Sequence, residues 1–219
     1  MPLKAVLFDM DGVIVDTEPL HRKAYYKTFE TLGIDVSNDL YSSFTGNSTK
    51  KVCQVLIDQF SLKETEDEIS KMKRLFFKDF FDNDPDFGLI SGVRELIEHY
   101  YQHDIRLILA SSASMNTINW VFEKFDLNPY FSGKVSGADL KESKPNPEIF
   151  LLAAKKANVT EAQCMVIEDS TNGILAANRA GIFCAGFKSP HSTLQNYDLA
   201  DVVVHDFAEL EIEKIQHYF

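Results

Sequence analysis

Residues 4–12 read KAVLFDMDG, a short apolar run that ends in two aspartates and a glycine. A run this apolar suits a strand that is covered on both faces. Residues two apart in a strand point to the same face, so Asp9 and Asp11 present two carboxylates side by side. Gly12 permits a sharp turn of the backbone directly after them. The stretch therefore predicts a buried strand with a pair of carboxylates at its carboxyl end.

Similar apolar runs recur along the chain, at residues 106–112, 163–168, 182–187 and 200–204. Helix patterns lie between the later runs. One helix starts with Asn146 as the N-cap and Pro147 at the first helical position, and another ends at Gly181. Strands that alternate with helices predict a parallel sheet with right-handed crossovers. The expected fold class is therefore α/β, with a doubly wound, Rossmann-like core.

A long helical segment follows the first strand in place of a single crossover helix. Amphipathic patterns recur in it at residues 21–32, 49–60 and 64–81. We therefore expect an inserted α-helical cap domain over residues 17–87. The core domain then consists of residues 1–16 and 88–219.

Further polar residues follow the predicted strands at their carboxyl ends. Ser111 and Ser112 end the second run, Lys144 follows a loop, and Glu168 and Asp169 end the third run. The carboxyl ends of parallel strands meet at one edge of an open sheet, which is where such sheets bind ligands. We expect these side chains to converge on the aspartate pair of the first strand.

Two neighbouring carboxylates repel each other, and one pKa rises unless a cation holds both groups ionised. Oxygen donors of this kind suit Mg²⁺. The alternative is that Asp9 and Asp11 are merely polar residues of a surface turn, and the pair alone leaves both interpretations open. The ordered partners at the other strand ends favour the metal site.

The composition is that of a folded globular protein, with 219 residues, of which 45% are hydrophobic and 25% charged. The 22 Lys+Arg and 33 Asp+Glu give a net charge of −11, which argues against binding to nucleic acid or to an anionic membrane surface. The three cysteines suggest neither a disulfide framework nor a zinc knuckle, and Asp9 interrupts the N-terminal apolar run before a signal peptide could form. We expect a soluble, cytoplasmic protein. The sequence leaves the oligomeric state open, and a monomer is the favoured alternative.

Four segments of the chain, in order, carry a family resemblance: FDMDGVIVDTEPLH, LILASSAS, SKPNPEIF and VIEDSTNGILAA. Together they resemble the haloacid dehalogenase superfamily, in its phosphatase and β-phosphoglucomutase-like branch. The helical insertion is similar to the cap domain of that branch. The resemblance covers the whole chain and implies an enzyme that transfers a phosphoryl group.

The resemblance implies a role for four catalytic residues. Asp9 is the nucleophile that forms an aspartyl-phosphate, and Asp11 is the general acid and then the general base. Ser111 donates its hydroxyl to a phosphate oxygen, and Lys144 sets an ammonium charge against the phosphoryl group.

Metal and substrate contacts follow from the same resemblance. The expected Mg²⁺ is held by Asp9, Asp11 and Asp169, with Glu168 supporting the metal site from behind the direct ligands. The expected substrate contacts come from the hinge, a cap loop and the turn after the second strand: Thr17, His21, Gly46, Asn47, Ser48, Ser112 and Asn116.

Two departures from the mutase pattern favour a hydrolase. Thr49 stands where β-phosphoglucomutases carry an arginine for a second phosphate, and the stretch after Ser111 lacks their lysine. Four cap cations offer a substitute for the missing groups: Lys50, Lys51, Lys73 and Arg74. We expect hydrolysis of a small phosphorylated metabolite such as a sugar phosphate, with a β-phosphoglucomutase-type mutase as the alternative.

Two other classes of function fit the sequence less well. A non-enzymatic phospho-acceptor module, of the receiver type, is about half this length and lacks the insertion at residues 17–87. A dehalogenase is disfavoured because relatives with that activity lack the second aspartate, which is present here as Asp11.

Overall fold

The computed structural model of the protein describes residues 2–44, 49–188 and 195–219. The chain forms two compact units, one of Met1–Asp16 with Gly88–Phe219 and one of Thr17–Phe87. We call them the sheet unit and the helical unit.

The sheet unit is built on one six-stranded parallel sheet with the strand order β3-β2-β1-β4-β5-β6. The strands are β1 Ala5–Phe8, β2 Arg106–Ser111, β3 Phe131–Ser136, β4 Cys164–Glu168, β5 Phe183–Phe187 and β6 Val202–Val204. β1 lies in the middle, between β2 and β4, and all four of its residues are buried. The predicted α/β class with a doubly wound core is thereby confirmed.

Strand β3 is absent from the sequence prediction. Its residues alternate poorly, since Gly133 and Lys134 interrupt the apolar pattern, and most of the strand is only partly buried. An edge strand needs less apolar surface than a central one, so periodicity gives it a weak signal. The other five strands lie where the apolar runs predict them, with ends that differ by one or two residues.

Helices cover both faces of this sheet in the usual crossover arrangement. They are α5 Val93–Gln102, α6 Met115–Lys124, α7 Glu148–Ala157 and α8 Thr171–Ala180. The short helix α9 Ile212–Ile215 follows the last strand. α8 ends as predicted, because Gly181 adopts the left-handed conformation with a φ of 67°. α7 starts one residue later than predicted: Pro147 is the N-cap, and the Asn146 side chain accepts from the Glu148 N–H at 3.0 Å.

The helical unit contains α1 Glu18–Leu32, α2 Asn38–Ser42, α3 Thr49–Phe60 and α4 Glu66–Asn83. Its core is a cluster of aromatic and aliphatic side chains that includes Tyr25, Phe29 and Leu56. A capping box between Thr65 and Glu68 fixes the start of α4. The sequence does not predict α2, because five residues are too few to show a helical period. Among the described helices of both units, none combines the length and the apolar character that a membrane span requires.

Candidate active site

The turn that follows β1 wraps around one carbonyl group. The Met10 carbonyl accepts from the N–H groups of Ile14, at 2.8 Å, and Val15, at 3.0 Å. Gly12 adopts a φ of 83° in this turn and donates its N–H to the Val15 carbonyl at 2.8 Å. Few residues other than glycine take that conformation without strain. The chain therefore reverses directly after Asp9 and keeps Asp11 at the edge of the sheet.

Lys144 joins the carboxyl ends of three strands. Its ammonium donates to Asp9 Oδ1, to Glu168 Oε1 at 2.7 Å and to the Ala110 carbonyl at 3.0 Å. The side chains of Lys144, Asp9 and Glu168 are 6%, 10% and 1% exposed. The predicted convergence of β1, β2 and β4 on one point is therefore a buried ion-pair cluster.

Charge and burial act against each other in this cluster. Burial raises the pKa of the Asp9 carboxyl well above its usual value, and although Lys144 opposes this, Glu168 and Asp169 add to it. Burial disfavours the charged form of Lys144, but the two carboxylates outweigh that effect and raise its pKa. An additional cation beside Asp9 would favour its ionised form.

The carboxylate of Asp169 lies against the β1 turn. A Cβ on Gly12 would overlap the Asp169 carboxylate, so the missing side chain is what lets the two approach. The Tyr197 hydroxyl donates to the Asp169 carbonyl at 2.8 Å and fixes the backbone from the other side. The Asp9, Asp11 and Asp169 set consists of oxygen donors alone, which is the donor chemistry that Mg²⁺ prefers.

Glu168 has both carboxylate oxygens engaged by protein groups. Oε1 accepts from Lys144, and Oε2 accepts from the N–H and the hydroxyl of Ser170, each at 2.9 Å. Glu168 therefore holds Lys144 in place. These contacts favour the prediction that Glu168 lies behind the direct metal ligands, and that prediction stays untested.

Ser111 is buried at the end of β2. Its hydroxyl oxygen accepts from the Ala113 N–H at 3.1 Å, so the O–H is the group that it offers to a phosphate. Ser112 and Asn116 follow as exposed residues of the turn and of α6. Their substrate contacts stay a prediction.

The predicted substrate contacts Thr17 and His21 lie at the start of α1. Thr17 is buried at the N-cap position, and its carbonyl accepts from the His21 N–H at 3.0 Å. The His21 ring stacks on Phe77 with ring centroids 4.4 Å apart. The cap-loop residues Gly46, Asn47 and Ser48 lie outside the described residues.

Lys73 is a buried amine in the helical unit, and the sequence alone marks it only as one of four cap cations. It lies one turn after Ile69 and one turn before Phe77 on the buried face of α4. Its Nζ is 2.6 Å from His21 Nδ1 and 4.9 Å from the centre of the Tyr25 ring. A lysine at a position where the helical period calls for an apolar residue is the signal that could have found it.

Burial sets the protonation of this pair. It lowers the pKa of Lys73 to about 8, an effect that Glu18 and Cys53 oppose. Burial and the neighbouring Lys73 together lower the pKa of His21 to about 3. The imidazole is therefore neutral at physiological pH, and its Nδ1 accepts from the ammonium of Lys73.

Comparison with known proteins gives a consistent result. A family model described as haloacid dehalogenase-like hydrolase matches residues 6–187. A relative from Thermotoga maritima, named phosphorylated carbohydrates phosphatase, is 34% identical over 184 residues, which cover 82% of this chain and 82% of the relative.

Two solved structures match over nearly the full length. The crystal structure of CbbY from Rhodobacter sphaeroides in complex with phosphate has a TM-score of 0.78 at 26% identity, over 95% of this chain and 96% of that one. The structure of β-phosphoglucomutase from Clostridium difficile has a TM-score of 0.74 at 30% identity, over 98% and 96%. The similar proteins thus include one named as a phosphatase and one named as a mutase.

Proposed function

The chain belongs to the haloacid dehalogenase-like hydrolases, and on that basis we propose that it hydrolyses a small sugar phosphate through an aspartyl-phosphate on Asp9. The observation that carries the proposal is the buried cluster at the end of β1, where the Asp9 carboxylate meets the Lys144 ammonium. A carboxylate with a fixed cation beside it is suited to attack an anionic phosphate ester, because the cation offsets the repulsion between the two anions.

Asp9 acts as the nucleophile in the first step. One carboxylate oxygen forms a bond to phosphorus while the bond from phosphorus to the substrate oxygen breaks. Lys144 and the O–H of Ser111 donate to the phosphoryl oxygens, whose negative charge they stabilise. The hydrogen bond from the Ala113 N–H to the Ser111 hydroxyl oxygen keeps that hydroxyl oriented.

Asp11 carries the protons. Its carboxyl group protonates the leaving oxygen in the first step, and its carboxylate then takes a proton from the water that cleaves the aspartyl-phosphate. The turn around the Met10 carbonyl holds the Asp11 backbone at the sheet edge, next to the nucleophile.

We further propose that the enzyme uses Mg²⁺, held by the Asp9 carboxylate, the Asp11 carbonyl and the Asp169 carboxylate. The all-oxygen donor set and the approach of Asp169 to Gly12 support this assignment. When bound, Mg²⁺ supplies positive charge that keeps Asp9 ionised and offsets the charge of the phosphoryl group. Glu168 contributes by holding Lys144.

The helical unit is proposed as the cap that selects the substrate. Lys73 is a buried amine beside a neutral histidine. Burial of a charged amine lowers the stability of the folded protein, so a functional role accounts for its presence. We assign it to recognition of the substrate. Thr49 at the start of α3 supplies no charge for a second phosphate, which favours a monophosphate over a bisphosphate.

A substrate panel tests the proposed function. Sugar monophosphates are incubated with enzyme and Mg²⁺, and a coupled assay separates release of free phosphate from conversion of glucose 1-phosphate to glucose 6-phosphate. The proposal expects phosphate release from at least one sugar phosphate. Isomerisation without phosphate release would establish the mutase instead.

We also propose a cytoplasmic, monomeric enzyme. The three buried cysteines are free thiols, as is usual in a reducing compartment. The small phosphorylated substrate class is consistent with that location.

A further inference from the structure

Two histidines and a glutamate of the sheet unit converge at a place separate from the residues of the proposed active site. His99 lies in the last turn of α5, and His103 is the C-cap residue that follows the helix four positions later, so the two side chains are neighbours. Glu213 reaches them from α9. One potential ligand atom from each residue lies within 4.8 Å of the other two.

Hydrogen bonds fix the orientation of both imidazole rings. His103 Nδ1 donates to the His99 carbonyl at 2.8 Å, so its Nε2 is left for another partner. His99 Nε2 accepts from the Ile212 N–H at 3.1 Å.

These two nitrogens face the same carboxylate. His99 Nε2 lies 3.5 Å from Glu213 Oε2, and His103 Nε2 lies 3.9 Å from Glu213 Oε1. Two imidazole nitrogens and a carboxylate that converge in this way can act together as ligands of a single cation. Ligand atoms around a tetrahedral zinc ion are roughly 3.3 Å apart, given bonds of about 2.0 Å, so small side-chain rotations would bring all three within reach.

The surroundings of the cluster favour a cation. His99 lines a cavity of about 290 Å³ together with the acidic residues Glu95, Asp206 and Glu211. One of these charges is offset, because Lys214 pairs with Glu211 at 2.9 Å. The net charge of these acidic residues and Lys214 together is still negative.

We propose that His99, His103 and Glu213 form a binding site for Zn²⁺ on the sheet unit. Two imidazole nitrogens and one carboxylate are a typical zinc donor set, whereas Mg²⁺ prefers oxygen donors, so the chain would hold different metals at its two sites. Zinc at His99 Nε2 replaces the hydrogen bond from Ile212. The metal then links α5 to the C-terminal helix α9, and water completes its coordination.

Titration calorimetry of the full chain with zinc chloride, in saturating Mg²⁺, tests this proposal. We expect one zinc ion bound per chain, with an affinity that falls at least tenfold in His103→Ala and also falls in Glu213→Gln. Zinc should raise the unfolding temperature of the wild type but not of His103→Ala. The matched control is His205→Ala, which removes an exposed histidine outside the cluster and should bind zinc like the wild type.

Magnesium-dependent phosphatase activity of His103→Ala should equal that of the wild type, which establishes that the variant is folded. The proposal is wrong if zinc does not bind the wild type, or if His103→Ala retains the wild-type zinc affinity. It is equally wrong if His205→Ala loses zinc binding to the same extent as His103→Ala.

Discussion

Lys144 is the only described cation with hydrogen bonds to both Asp9 and Glu168, and all three side chains are buried. Removal of one partner from a buried ion-pair cluster leaves charge without compensation. The same contacts that position the nucleophile therefore also stabilise the sheet unit.

Lys144→Met should abolish phosphatase activity and lower the free energy of unfolding by about 3 kcal/mol, measured by urea denaturation. The loss should grow from pH 5 to pH 8. Without the Lys144 charge, burial and the neighbouring carboxylates raise the pKa of Asp9 in the folded variant further above its unfolded value, so the variant loses stability more steeply than the wild type as pH rises.

The control for this variant is Lys141→Met, at an exposed lysine of the same loop, which should leave both quantities unchanged. The double variant Lys144→Met, Glu168→Gln should recover part of the stability but none of the activity. Wild-type stability in Lys144→Met would contradict the role assigned to the cluster.

The close approach of Gly12 to the Asp169 carboxylate allows a second test. Gly12→Ala suffers left-handed strain and also pushes its Cβ into the Asp169 carboxylate, so Mg²⁺ affinity should fall at least tenfold, as measured by activity against metal concentration. Gly33→Ala is the matched control, because Gly33 has a φ of 67° but open space around its Cβ position. It should cost about 1 kcal/mol of stability and leave the metal affinity unchanged. Equal metal affinity in both variants would argue against Asp169 as a ligand.

Among the elements, the central ones were predictable and the peripheral ones were not. β1 and β4 are covered on both faces, so their sequences are almost wholly apolar and easily recognised. β3 lies at an edge and α2 spans five residues, and neither needs a strong apolar pattern to form. Local pattern therefore reports burial more than it reports secondary structure.

The site was predictable to the extent that it sits on those central strands. Asp9, Glu168 and Lys144 come together because parallel strands bring their carboxyl ends to one edge. The contact between His21 and Lys73 joins residues of two helices, and nothing in either local pattern pairs them. Such pairings depend on packing, which the sequence alone does not reveal.

Lys73 on α4 should contribute to substrate recognition while it lowers the stability of the folded protein. We expect Lys73→Met to lower kcat/KM for the sugar phosphate about tenfold while the unfolding temperature stays the same or rises, because methionine fills the space without a buried charge. Lys71→Met, at an exposed position of the same helix, is the control and should change neither. Full activity in Lys73→Met would remove Lys73 from substrate recognition.

The pH dependence of stability gives a further signature of Lys73. Burial lowers its pKa to about 8 in the folded state, below the unfolded value of about 10.4. Between these values the unfolded chain binds more protons, so this residue makes stability increase with rising pH. Lys73→Met should lack that contribution in urea titrations at pH 8 and pH 10, and an unchanged pH dependence would contradict the assigned pKa.

For the whole molecule, the net charge of −11 is unevenly distributed. Residues 17–87 carry a net charge of −3 and the rest of the chain carries −8. Four of the acidic residues of that remainder are those expected at the metal site: Asp9, Asp11, Glu168 and Asp169. A global negative charge is therefore compatible with an anionic substrate, because the charge at the site is set by Lys144 and a divalent cation.

Mg²⁺ should stabilise the whole protein beyond the effect of ionic strength. Binding to the folded state alone adds about 2.7 kcal/mol when the metal concentration is about 100 times Kd, so the unfolding temperature should rise by several degrees. Sodium chloride at equal ionic strength is the control for screening of the net charge. Asp169→Asn should lose the magnesium-specific part, and an equal magnesium shift in that variant would contradict the proposed ligand set.

The proposed mechanism requires that Asp9 becomes phosphorylated during turnover. Rapid acid quench after mixing the enzyme with a sugar phosphate, followed by peptide mass spectrometry, measures this directly. We expect one added phosphoryl group on the peptide that contains Asp9, and neither that group nor phosphate release in Asp9→Asn. Phosphate release by Asp9→Asn at the wild-type rate, or a phosphoryl group on another residue, would contradict it.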